Sequence, residues 1–166
     1  MKPDAKRIVF EGRVVTLAVE RWGDHEREVV EHPGAVVIVA TDVAGSIVMV
    51  RQLREAVRRE LLELPAGTLS PGEDPLAAAK RELREETGFG GGEWHAGPRF
   101  FSAPGFCTEL MHLFFAAGVE PGESALEEDE TIEVVVVPAA SVDGVLTEIE
   151  DAKSLVGLLL YLRARV

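Results

Sequence analysis

Glu82, Glu85 and Glu86 stand at i, i+3 and i+4 in the stretch Arg81-Glu82-Leu83-Arg84-Glu85-Glu86-Thr87, so a helix would project the three carboxylates together. Hard divalent cations take carboxylate oxygens. A glutamate pair one turn apart with a third beside it can hold Mg2+ and leave positions open for phosphate oxygens and water. An ion held there would neutralise charge developing on phosphorus and lower the pKa of a bound water, which is the chemistry of cleaving a P–O–P link. With Lys80, Arg81 and Arg84 among them, the same acids also fit a solvated face of i,i+4 ion pairs.

The elements around the glutamates can be read from caps and periodicity. Asp74-Pro75 offers an N-cap followed by proline at the first helical position, and Gly88 stops the segment, which predicts a helix from Leu76 to Thr87. Leu76, Ala79 and Leu83 recur at helical spacing and should face a sheet. A second helix is predicted over 152–164. Residues 7–20 read as two short strands around Glu11-Gly12, and residues 26–31 as another. Further strands are predicted at Ala35 to Ala40, Ser46 to Val50, Trp94 to Ser102, Leu110 to Gly118 and Ile132 to Val137. Gly67 and Gly72 suit a tight loop ahead of the first helix. No repeat or long linker interrupts the chain.

Composition narrows the function classes. The 166 residues, 46% hydrophobic and 28% charged, are enough for one domain with a real core and exclude disordered or collagen-like chains. A net charge of -12 disfavours nucleic acid and anionic membrane surfaces as partners. It also means that a small polyanionic substrate would need local arginines or bound cations. The single cysteine, Cys107, and the lack of a signal peptide point to a cytoplasmic setting. The apolar run from Leu155 to Leu162 is too short to span a bilayer. His25, His32, His95 and His112 show no ligand spacing.

The string from Gly67 to Phe89 decides how the glutamates are read. Gly67, five residues, Glu73, seven residues, and then Arg81-Glu82-Leu83-Arg84-Glu85-Glu86-Thr87-Gly88-Phe89 match the complete signature of the Nudix hydrolases. Average residue frequencies would meet such constraints by chance on the order of 10⁻⁹ to 10⁻¹⁰ times per starting position. The resemblance implies an α/β/α sandwich around a mixed β-sheet, a fold of the α+β kind, preceded by an N-terminal β-hairpin extension. Residues 1–166 would form a single domain, with residues 1–33 a strand segment that forms a dimer and residues 34–166 the catalytic core. It further implies Glu82 and Glu86 as principal metal ligands, Glu85 as an additional one and the carbonyl of Ala66 as a main-chain ligand. The metal would be Mg2+, or Mn2+ in its place. Gly67, Glu73, Arg81 and Gly88 would be structural, with Arg81 neutralising and orienting the carboxylates.

Outside that signature the chain resembles the ADP-ribose pyrophosphatases of the family. Pro104 lies sixteen residues beyond Gly88, in Ser102-Ala103-Pro104-Gly105-Phe106-Cys107-Thr108-Glu109. The resemblance gives Ser102, Pro104, Gly105 and Glu109 to substrate, with Glu109 on the terminal ribose. Ala103 stands where a serine is frequent, which leaves open whether Ser102 takes over its polar contact. Arg54, in Arg51-Gln52-Leu53-Arg54, would hold phosphate, a use that suits a guanidinium in an acidic protein. A surface pairing with Glu55 or Glu60 is its plainer reading. Arg27 matches a second ligand-contacting arginine, in a segment that crosses to another subunit in relatives, which implies a homodimer with composite sites. In Glu127-Glu128-Asp129-Glu130 the resemblance places the base that deprotonates the attacking water, Glu128 first and Glu130 second. The reaction implied is hydrolysis of ADP-ribose to AMP and ribose 5-phosphate. Two alternatives stay open: another nucleoside diphosphate compound (a nucleotide sugar, a dinucleotide or a damaged nucleoside triphosphate), or a module that senses ADP-ribose without cutting it.

Overall fold

The computed structural model describes residues 1–122 and 132–164. Eleven strands and three helices lie among them: β1 (Ala5–Glu11), β2 (Thr16–Trp22), β3 (His25–Glu31), β4 (Ala35–Asp42), β5 (Ile47–Arg54), β6 (Arg59–Glu63), β7 (Ala66–Thr68), α1 (Pro75–Thr87), β8 (Phe89–Gly90), β9 (Glu93–Phe101), β10 (Leu110–Pro121), β11 (Ile132–Val137), α2 (Val142–Val145) and α3 (Ala152–Ala164). The first three strands form their own antiparallel sheet, in the order β1-β2-β3. The remainder form a mixed sheet in the order β11-β5-β4-β10-β8, to which β6, β7 and β9 add at β5, β4 and β10. Only β4 and β10 run parallel among these pairs.

Alternation along β4 explains the layering. Side chains on a strand point to opposite faces with a period of two. Val36, Ile38 and Ala40 accordingly share one core with Ala78, Ala79 and Leu83 of α1, whereas Val37 and Val39 share another with Leu64, Leu113 and Leu158 of α3. β4 is buried on both sides, which is why it reads as a continuous apolar run. α3 approaches the sheet closely at Gly157, where a Cβ would come within 2.5 Å of Leu64 Cδ1 and 3.1 Å of Val39 Cγ2. A larger side chain there would overpack a region whose neighbours have no room to move.

The local signals at α1 are those expected. Asp74 Oδ2 accepts the Ala77 N–H at 2.9 Å, Pro75 opens the helix, and Gly88 closes it in the left-handed conformation with φ of 75°. Leu76 is only half-buried, so Ala78 joins Ala79 and Leu83 as the buried stripe. Four short elements went unanticipated: β6, β7, β8 and α2. They are too brief, or in β6 too charged at Arg59 and Glu60, to carry a period.

Candidate active site

The candidate metal-binding glutamates are gathered where α1 packs over β7. Glu86 is nearly buried, and its Oε2 accepts the N–H of Ala66 at 3.1 Å. Glu82 projects one turn earlier over Gly67, whose missing side chain makes room for it: a Cβ on Gly67 would sit 1.9 Å from Glu82 Cδ. This corrects the expectation that Gly67 serves a tight loop. Gly67 belongs to strand β7, and its smallness matters for the approach of a carboxylate, whereas Gly72, with φ of 77°, is the turn residue.

Arg81 organises the acids. Its Nε lies 3.0 Å from Glu73 Oε1, and its Nη1 lies 2.8 Å from both Glu82 Oε1 and Glu85 Oε2. Hydrogen bonds from Arg81 and then from the Ser70 N–H hold the Glu73 carboxyl below its ordinary range. The same contacts, led by Glu73, raise the Arg81 guanidinium further above neutrality.

Two cavities meet at this point. A groove of about 690 Å³ is lined by Glu82, Glu85, Glu86, Arg81, Gln52, Arg54, Ala66, Gly67 and residues of the Glu11–Val14 turn. A neighbouring cavity of about 390 Å³ is lined by Arg54, Glu63, Ala66, Gly67, Ser102, Glu109, Asp151 and Lys153. Arg54, Ala66 and Gly67 belong to both, so a ligand spanning the two would pass Arg54 on its way from the carboxylates to Ser102 and Glu109.

Arg54 pairs with neither Glu55 nor Glu60. Its Nε and Nη2 engage Glu63, at 3.0 Å and 2.6 Å, and the Glu63 side chain is 2% exposed. Lys153 Nζ, at 2.7 Å, makes Glu63 the centre of a triad. Burial alone would push the Glu63 carboxyl up, but the Arg54 hydrogen bonds and the Lys153 charge outweigh it and hold the group below its ordinary range. The carboxylate is therefore charged at neutral pH. Glu63 and Lys153 were missed in the sequence, although a lone acid within Leu61-Leu62-Glu63-Leu64 is a signal that a buried charge needs partners.

The remaining expected residues divide. Ser102 and Glu109 share the smaller cavity, and Glu109 also lies 3.6 Å from His32 Nδ1. Pro104 and Gly105 form the turn after β9 and line neither cavity. Arg27, on β3, donates to the carbonyl of Glu26 at 2.9 Å and lines neither cavity within one chain. Glu128 and Glu130 lie outside the described residues. Lys80 of α1 lies over the Trp94 ring at 5.8 Å, and the Trp94 indole N–H donates to the carbonyl of Gly91.

The donor set suits a hard divalent cation. Three carboxylates and the Ala66 backbone line one groove, an all-oxygen set of the kind that Mg2+ takes, and Gly67 leaves its space to a carboxylate. Among the described residues no three His, Cys, Asp or Glu side chains already converge on one point. Arg81 supplies the positive charge that holds Glu82 and Glu85 together.

Comparison with known proteins places the chain among relatives. The NUDIX domain family model matches residues 31–156. The ADP-ribose pyrophosphatase of Bacillus subtilis (strain 168) is 40% identical over 143 residues, covering 82% of this chain and 77% of that protein. The ADP-ribose pyrophosphatase of Mycobacterium tuberculosis (strain ATCC 25618 / H37Rv) is 46% identical over 106 residues, covering 63% of this chain and 51% of that protein. In three dimensions the chain superposes on the crystal structure of an ADP compounds hydrolase with a TM-score of 0.82, at 23% identity, covering 99% of this chain and 96% of that one. No helix among the described residues is long and apolar enough to cross a membrane.

Proposed function

The chain belongs to the NUDIX domain family, and on that premise we propose that it hydrolyses the diphosphate bond of ADP-ribose, giving AMP and ribose 5-phosphate, with Mg2+ as the metal. The observation that carries the reading is the pair of cavities joined at Arg54, with the Glu82, Glu85 and Glu86 carboxylates in one and Ser102 and Glu109 in the other. A nucleoside diphosphate joined to a second sugar has the length and polarity to occupy both. The relatives named ADP-ribose pyrophosphatase support it.

In this reading Glu82, Glu86, Glu85 and the Ala66 carbonyl would hold the metal, which when bound would supply Lewis-acid chemistry for the diphosphate and for water. Arg81 keeps Glu82 and Glu85 oriented and is itself held by Glu73. Arg54 presents its guanidinium to the phosphates, and Glu109 accepts from a ribose hydroxyl. Glu128, or Glu130, takes the proton of the attacking water, whose oxygen displaces one phosphate from the other. Chromatography of products after incubation with Mg2+ should show AMP and ribose 5-phosphate from ADP-ribose at a kcat/KM well above those for ADP-glucose, NADH, diadenosine compounds and 8-oxo-dGTP. Faster turnover of another of these compounds would keep the chemistry and discard the substrate. Binding without turnover of any would instead favour a sensor.

Assembly follows from Arg27. Because this residue lines neither cavity of its own chain, the proposal has it act in the site of a second copy, with residues 1–33 forming the homodimer. The exposure of Ile8, Val9 and Phe10 on β1 supports this segment as the interface. Mixing and refolding Arg27→Ala with Glu86→Gln, each nearly inactive alone, should restore about a quarter of wild-type activity, because about half of the dimers are mixed and each of these carries one site with neither change. No recovery on mixing would show that the site is confined to one chain.

A further inference from the structure

We propose that Glu63 is a positioning residue: its buried carboxylate grips one edge of the Arg54 guanidinium and so aims the other edge at the diphosphate. The inference rests on the ADP-ribose reading for the ligand, but its geometry is independent of it. A guanidinium is a planar fork with two usable edges. The Nε–Nη2 edge of Arg54 is committed to Glu63, through contacts of 3.0 Å and 3.2 Å from Nε and 2.6 Å from Nη2. Nη1 makes no hydrogen bond among the described residues, and Arg54 lies on the wall that both cavities share. Glu63 is fixed in turn. It is 1% exposed, it sits on β6 in register with Val50 on β5, and Lys153 Nζ holds Oε2 at 2.7 Å while its own second contact goes to Asp151 at 2.9 Å. Side chains repeat every two residues, so Val50, Gln52 and Arg54 emerge on the same side as Glu63. A bidentate hydrogen-bonded acid thus restrains a long, half-exposed arginine from sampling other rotamers before phosphate arrives.

Charge and orientation make opposite predictions for this residue. Glu63 is an anion beside an anionic ligand, so removing its charge should strengthen binding if only the field matters. If it aims Arg54, removing it should weaken binding. The test is a double-mutant cycle in the full-length protein with Mg2+, comparing wild type, Glu63→Gln, Arg54→Ala and the double variant by kcat and KM on ADP-ribose. Glu63→Gln is expected to raise KM about 10- to 100-fold with kcat changed less than about threefold, and to change KM less than about twofold in the Arg54→Ala background. A KM that falls or stays the same, or losses that multiply across the cycle, would overturn the proposal. A structural role alone would lower the unfolding temperature without this coupling. Glu63→Asp serves if the glutamine variant does not fold: it keeps the charge, withdraws the carboxylate by one methylene, and should still raise KM while sparing kcat. Should wild type cut a different compound fastest, the ADP-ribose reading fails and the cycle is run on that compound. Should it bind ADP-ribose without cutting it, calorimetric Kd replaces KM with the same expected ratios. A wild type that neither binds nor cuts any of these compounds overturns both readings.

Discussion

Glu86→Gln should lower kcat on ADP-ribose by about 10³-fold or more at saturating Mg2+, a loss of about 4 kcal/mol of transition-state stabilisation. The substitution preserves shape almost completely, so the size of the effect reports charge. Glu86 is 5% exposed, and its Oε2 already accepts the Ala66 N–H. A glutamine would keep that hydrogen bond through its oxygen and turn its amide NH₂ toward the groove, replacing an anionic oxygen with a group that cannot ligate Mg2+. Glu82→Gln should fall in the same range. Glu85→Gln should lose less, about tenfold, because its side chain is 34% exposed and held at the groove edge by Arg81. Steady-state kinetics across a Mg2+ titration check this. Wild-type turnover in both Glu82→Gln and Glu86→Gln would remove the metal-binding glutamates from the mechanism. These variants act on kcat, which separates them from Glu63→Gln, where the change is expected in KM.

What could be read from the chain and what could not divide along a physical line. Asp74, Pro75 and Gly88 fix α1 because capping is a matter of single residues at single positions, and the double-sided burial of β4 leaves its mark as Val36-Val37-Ile38-Val39. The spacing of Glu82, Glu85 and Glu86 needs only the helical period. Partners that depend on strand register are another matter. The β5–β6 register pairs Val50 with Glu63 and Arg54 with Arg59, which puts Arg54 and Glu63 on one face, where two long side chains bridge the offset along the strands, whereas a surface reading favours Glu55 or Glu60 because they lie nearer in sequence. Lys153 reaches the same carboxylate from α3, ninety residues along, with nothing local to announce it. Gln52 is similar: its side-chain nitrogen is buried without a hydrogen-bond partner among the described residues, on the wall of the groove that Glu82, Glu85 and Glu86 line, a feature that only the packed structure exposes. Pro104 illustrates the converse, since a distinctive turn residue can mark a subfamily while lining neither cavity. Its influence on substrate would then pass through the position it gives to Ser102 and Glu109.

Gly67→Ala is expected to separate activity from stability more cleanly than any charge change. The added methyl would lie 1.9 Å from Glu82 Cδ and 2.1 Å from Oε1, closer than any van der Waals contact, so one of the two must move. Backbone movement of β7 would break its pairing with β4 at Val36, whereas the Glu82 carboxylate is the far end of a flexible side chain. The carboxylate therefore yields. Gly67 does not have the left-handed conformation that an L-residue would strain to adopt, and a glycine-to-alanine change in compatible backbone restricts the unfolded chain, a gain of about 0.4–1 kcal/mol. Unfolding free energy should thus change by less than about 1 kcal/mol. Activity should not be spared, because displacing a reacting group by about 1 Å can cost about 10²-fold, and kcat on ADP-ribose is expected to fall by that factor. Gly72→Ala is the matched control and should behave in the opposite way. Its φ is 77° with nothing within 4 Å of the added methyl, so the strain of about 1–2 kcal/mol is felt by the fold while Glu82 stays in place and kcat is retained. Urea unfolding and steady-state kinetics on the two variants check both halves. If Gly67→Ala kept full turnover, Glu82 would have to work from somewhere other than its position over β7; if both variants lost activity in proportion to stability, the space above Gly67 would have no catalytic purpose.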